Sequence, residues 1–172
     1  MKKRLLIIVI LLLVGCEEQL PKFDEYSGRP LNLAVIGAAP DIREKNVTFE
    51  EYSMDDLLFM DFTKHDAVFV MKENLEDASA SQYAEIYTSS GIPVFFIEST
   101  KGTYPFVNAD ETYSTSTGAG DNLIFADGYL PMSDPKVGST TYKFGLYNDI
   151  KNDETIKGTY SIIFTKIEEI LK

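Results

Sequence analysis

Three short polar strings each follow a run of apolar residues: GAAPD, ending in Asp41; KEN, with Lys72 and Glu73; and ESTKG, with Glu98, Ser99, Thr100 and Lys101. Two carboxylates such as Asp41 and Glu98, facing one cleft, could divide the acid and base roles of a hydrolysis. The same side chains could instead bind a small ligand without reacting on it. The runs that precede the strings decide whether these side chains meet. If LNLAVIG (31–37), DAVFVM (66–71) and IPVFFIE (92–98) are parallel strands of one sheet, the strings follow their carboxyl ends, where open α/β sheets bind ligands. Asp41, Lys72, Glu73, Glu98, Ser99 and Lys101 are therefore the expected ligand-binding set. No catalytic residue is assigned, because polar residues must follow buried strands whether or not a reaction takes place there.

His65 is the only histidine and Cys16 the only cysteine. A Ser-His-Asp triad would have to use His65, yet no nucleophile elbow accompanies it. Its place between Lys64 and Asp66, just ahead of a strand, reads as a solvated turn. One histidine is too few for a structural zinc site, and NDIKNDETIKG (148–158) lacks the alternating ligands and central glycine of a calcium-binding EF-hand. Neither a metal nor a cofactor is expected. With a single cysteine the chain forms no internal disulfide, so its folded part must be held by its core.

Cys16 closes a three-part segment made of basic MKKR, an apolar run from Leu5 to Val14, and Gly15. A bilayer-spanning helix takes about 20 apolar residues, and Glu17 and Glu18 end this run at roughly half that length. The layout is that of a secretory signal peptide, and Leu13-Val14-Gly15-Cys16 resembles the lipobox of bacterial lipoproteins. The resemblance implies removal of residues 1–15, a diacylglyceryl group on the Cys16 thiol, and a lipid-anchored protein on the extracytoplasmic face of the cell membrane. At about 0.8 kcal/mol per buried methylene, one acyl chain binds reversibly and two hold firmly. The segment 16–30 is polar, is broken by Pro21, Gly28 and Pro30, and reads as a flexible tether with a reach of up to about 50 Å. A single α/β domain is expected over 31–172.

TGAGD (117–121) resembles the GAGD motif of ribokinase-type sugar kinases. The resemblance implies backbone amides that steady phosphate charge and an aspartate that takes a proton from the acceptor hydroxyl. Such chemistry needs a helix opening at the motif and a much longer nucleotide-binding domain. Neither that length nor a companion motif is present, so phosphoryl transfer is not assigned.

The elements that would position the polar strings are legible as patterns. The three apolar runs, hydrophobic on successive residues, are the signature of strands buried on both faces of a mainly parallel sheet. NVTFEEYS (46–53) reads as a shorter strand. Ala80, Tyr83, Ala84 and Tyr87 fall on one helical face, with Gly91 as the cap. Ser53 and Asp56 resemble a capping box opening a short helix that buries Leu57 and Leu58. In TYSIIFTKIEEILK, the residues Tyr160, Ile163, Phe164, Ile167, Ile170 and Leu171 form one stripe. Alternating strand and helix point to an α/β three-layer sandwich with a flavodoxin- or Rossmann-like sheet. NLIFADGYL (122–130) and TTYKFGLYN (140–148) offer further strands, at least one of them finishing the sheet at an antiparallel edge. The stretch 103–122 reads as a surface loop, and Tyr104, Tyr113, Tyr129, Tyr142 and Tyr147 as aromatics that cover the edge of a small core.

The 172 residues, 44% of them hydrophobic, suit one globular domain. The formal charge is −11, and without Lys2, Lys3 and Arg4 the remaining 13 basic residues face 27 acidic ones, leaving −14. That field repels nucleic acid and anionic lipid surfaces, so no nucleic-acid partner is expected. Three classes of function remain. A non-catalytic module binding an unknown protein or small molecule is favoured, because anchor and tether come with no catalytic set. DAVFVMKEN and YAEIYTSSGIPVFFIES are similar in rhythm to one lobe of the solute-binding lipoproteins of importers, which have two lobes. An exported hydrolase would use the carboxylate pair Asp41 and Glu98.

Overall fold

The computed structural model describes residues 21–117, 123–132 and 138–172. Cys16, the segment before it, and most of TGAGD lie outside the described residues. The fold is α/β, around a six-stranded mixed sheet in the order β2-β1-β3-β4-β5-β6. Strands β1 (Leu31–Ile36), β2 (Val47–Tyr52), β3 (Ala67–Val70) and β4 (Val94–Ile97) run parallel. Strand β5 (Ile124–Pro131) lies antiparallel to β4, and β6 (Ser139–Gly145) antiparallel to β5. Both late strands therefore complete one edge. At the other edge β2 exposes Glu50 and Glu51, charges that discourage pairing with a further strand.

Every residue of β3 and β4 is buried because apolar clusters press on both faces of the sheet. One face carries Leu33, Val35, Phe69 and Phe95 and is covered by α4 (Asp153–Ile170) through Tyr160, Ile163, Phe164 and Ile167. Phe69 is the centre of this packing, with its ring 6.1 Å from Tyr160, 6.3 Å from Phe164 and 5.4 Å from Phe95. The other face carries Ile36, Val68, Val70 and Phe96. It is covered by α1 (Leu75–Ala78), α2 (Ser81–Ser89) and the single turn α3 (Tyr104–Val107). Gly128 of β5 answers crowding on the α4 face, because a Cβ there would sit 2.7 Å from the Phe95 ring.

Several local expectations need correcting. The Ser53 N–H does donate to Asp56 Oδ2 at 2.8 Å and the Asp56 N–H to Ser53 Oγ at 3.3 Å, but the turn they open is a 3-10 turn, Asp56–Phe59. Its tighter winding buries Leu57 and leaves Leu58 42% exposed. Helix α4 begins earlier than its apolar stripe, at Asp153, because the Asn152 side chain accepts from the Thr155 N–H and Thr155 Oγ1 accepts from the Asn152 N–H. The stretch 103–122 is more than a surface loop: Phe106 is 1% exposed and stacks on Phe96 at 3.8 Å. His65, expected in solvent, is 5% exposed, with Nε2 3.1 Å from the Tyr52 hydroxyl.

The segment before β1 is also packed. The Phe23 ring occupies the space where a Cβ on Gly158 would be, and lies edge-on to Tyr147 at 6.0 Å. Tyr26 is buried in the α4-side core; its hydroxyl donates to the Arg29 carbonyl at 2.8 Å and its N–H to Glu44 Oε1 at 3.3 Å. Glu44 also accepts from Ser161, and Arg43 reaches both Ser161 Oγ, at 2.7 Å, and the Phe23 carbonyl, at 3.4 Å. Residues 23–30 thus form a docked arm where a flexible tether was expected.

Candidate functional site

The chain order reverses between β1 and β3, since β1 has β2 on one side and β3 on the other. A crevice is expected outside the carboxyl ends of the strands at such a point. The turn after β1 makes room for it: Gly37 has φ +111, and a Cβ there would meet Asn74 Nδ2 at 2.6 Å and Glu73 Oε1 at 2.7 Å. Only a glycine lets the KEN turn approach so closely. Asn74 fixes that turn by donating to the Ile36 carbonyl at 3.2 Å.

Glu98 follows β4 in the left-handed region, at φ +57, and its N–H donates to the Phe125 carbonyl at 2.6 Å. A residue with a side chain held there costs on the order of 1–3 kcal/mol, so its surroundings must hold it. Part of that hold is visible. Lys72, from the turn after β3, and Lys151, from the turn before α4, both donate to Glu98 Oε2, at 2.9 and 2.6 Å. Burial pushes the Glu98 carboxyl up, but the hydrogen bonds from Lys151 and Lys72 outweigh it and hold the group below its ordinary range. The same bond with Glu98 raises Lys72. The trio thus sets one carboxylate between two lysine side chains. Beneath it Tyr160 is driven far up, first by burial and then by the fields of Glu98 and Glu73, so its phenol stays protonated.

Two concavities open on this trio and share Lys72 and Glu98. The larger, about 480 Å³, has Lys151 and Tyr113 on its polar side and Leu75, Phe125 and Leu146 as apolar walls. The smaller, about 280 Å³, is bordered by Asp41, Glu73, Lys157 and Tyr160. Asp41 is 81% exposed and paired with Lys157 at 2.5 Å. Each ammonium carries three donors and spends one on Glu98, so the lysines can turn further donors towards an anionic group in the larger cleft.

Of the expected set, Asp41, Lys72, Glu73 and Glu98 meet at this rim. Ser99 and Lys101 do not. The left-handed turn at Glu98 swings Ser99 into the protein, where its Oγ donates to the Gly102 carbonyl at 3.0 Å. Lys101 Nζ donates to the Ser116 carbonyl at 2.8 Å, lies 5.3 Å from the Tyr113 ring centre, and borders a separate hollow beside Asp127 and Lys143. Lys151, Lys157 and Tyr160 are site residues that the sequence patterns do not reveal. They arrive from α4 and the turn before it, because the helix folds back across the sheet with its first turn at the rim. The one available clue is Lys151 in the polar string just ahead of the helix stripe.

No protein family, curated protein or solved structure matches this chain. The geometry must therefore speak by itself. Among the described residues no group of three or more His, Cys, Asp or Glu could hold a metal ion. Among the same residues no helix is long and apolar enough to cross a membrane.

Proposed function

We propose that the protein is an extracytoplasmic lipoprotein anchored through Cys16, whose α/β domain binds a small carboxylate- or phosphate-bearing ligand without transforming it. The three-layer, flavodoxin-like arrangement belongs to the same reading: helices on both faces leave the strand ends as the place for a ligand. The observation that carries it is the meeting of Lys72 and Lys151 on one oxygen of Glu98 inside a cleft with apolar walls. Glu98 organises the two cations, and the walls accept the ligand's carbon skeleton. A hydrolase is the weaker reading, because its acid would have to be a carboxyl held protonated. Glu98 is held ionised instead, and Asp41 stands in solvent paired with Lys157.

A panel of small carboxylates and phosphates, screened by thermal shift and followed by calorimetry, tests the reading. Lys72→Met and Lys151→Met should each weaken any hit by about tenfold or more, since a charge-assisted hydrogen bond contributes about 1.5–3 kcal/mol. Unchanged affinity in both variants would place the ligand elsewhere. Intact mass of the protein from its native cells tests the anchor, which requires acyl groups on a terminus beginning at Cys16.

A further inference from the structure

The docked arm fixes where the chain leaves the folded body. Phe23 lies against Gly158, five residues into α4; Tyr26 lies 6.2 Å from Phe164; and Gly28 is beside Glu168. Arm and helix therefore run side by side in the same direction, from the rim that carries Glu98 to the opposite edge where β1 begins. The chain before Phe23 departs at the rim end. Six residues, 17–22, separate the arm from Cys16, a reach of about 20 Å when fully stretched.

That reach limits orientation. From Gly158 to the end of α4 at Ile170 is about 18 Å at 1.5 Å per residue. Seating the far edge of the sheet on a bilayer would take the whole extended length of the tether, at the full entropic cost of straightening it. Seating the rim takes almost none. The rim also carries apolar side chains in solvent: Leu123, 57% exposed, at the start of β5, and Tyr147, 41% exposed, in the turn after β6. Tyrosine is a residue of the membrane–water interface, and leucine gains by entering the acyl boundary.

We propose that the carboxyl edge of the sheet faces the bilayer that holds the acylated Cys16, with Leu123 and Tyr147 at the lipid surface and the Glu98 cleft opening beside it. The proposal rests on the anchor proposed above. Because the net charge of the body opposes an anionic leaflet, contact depends on the apolar pair and the short tether, not on basic patches.

Acylation leaves no other thiol in the mature chain, so a cysteine introduced at one site can carry a fluorophore. Acylated full-length protein with Thr100→Cys, at the rim, or Lys172→Cys, beyond the far end of α4, is placed on phosphatidylcholine vesicles containing a headgroup-spin-labelled lipid. Quenching at position 100 should exceed that at 172 several-fold, and Leu123→Ser with Tyr147→Ser should narrow the gap while the melting temperature of each chain is unchanged. Equal quenching at the two positions, or stronger quenching at 172, in chains whose mass shows the lipid overturns the orientation and leaves the anchor standing. A Cys16 unmodified in native cells overturns both.

Discussion

The two ends of the parallel strands each centre on one carboxylate, to different effect. At the amino end, Asp66 accepts from Arg29 at 2.7 Å and from the Asn32 N–H at 2.8 Å, while the Asn32 amide donates to the Lys64 carbonyl at 3.0 Å. His65 lies between Asn32 and Tyr52. Here a carboxylate and an amide complete backbone groups that would otherwise lose their water, and the imidazole ties the Asn32 and Tyr52 side chains together. At the carboxyl end, Glu98 sits on left-handed backbone and its partners are two long lysine side chains with donors to spare. Partner type separates the two roles. A polar residue bound to main chain belongs to the architecture, whereas one bound to flexible side chains beside a hollow is available for binding.

Substitutions on the two ends should break in opposite ways. The largest loss is expected from Asp66→Ala, which strands a backbone N–H and the Arg29 guanidinium; urea denaturation should show a decrease of about 2 kcal/mol. If stability is unchanged, the amino end is not the structural clamp described. Glu98→Gly should stay within about 1 kcal/mol of the parent or exceed it, since glycine accepts a positive φ without strain. Binding to the cleft should be lost in the same variant. A gain in stability paired with lost binding would be the signature of a site maintained against the fold's own preference.

The smallest effect concerns acid. The lysines keep the Glu98 carboxyl below its ordinary value of 4.5 in the folded state. The folded form therefore binds fewer protons than the unfolded chain near that pH, and stability falls as pH drops. This contribution is complete above about 4.5, the unfolded value, and is lost as pH descends through the lower folded one. Glu98→Gln should flatten the acid side of a melting-temperature profile between about pH 5 and pH 3, with the two proteins furthest apart at neutrality, where the contribution is complete, and converging in acid. An identical slope in both proteins would mean that the lysine pairing is not felt in solution.

Much of this is legible in the residues. Strands buried on both faces must be apolar without interruption, so β1, β3 and β4 announce themselves, and a parallel sheet then fixes where Asp41, Lys72, Glu73 and Glu98 gather. The course of the chain beyond a strand end is less determined. Nothing in ESTKG says that Glu98 takes a left-handed turn and carries Ser99 inward. Phe106 is hidden in a helix of one turn, too short for any periodicity to register. Phe23 and Tyr26 are hidden among polar neighbours because their partners, Gly158 and Phe164, lie more than a hundred residues away. Lys151, 53 residues beyond Glu98, and Tyr160, further still, are obscured in the same way: a helix that returns from a remote part of the chain brings residues to a site that no local pattern links to it.

That return has a bearing on how the molecule is made. The arm leaves the ribosome more than a hundred residues before α4, yet each lies against the other. Until the helix has emerged, Phe69 lacks Tyr160 and Phe164 on one side, and a half-made chain offers a sticky aromatic surface instead of a finished body. Closure of that side is thus timed by the appearance of α4, and nascent chains stalled before it should be found in the company of chaperones.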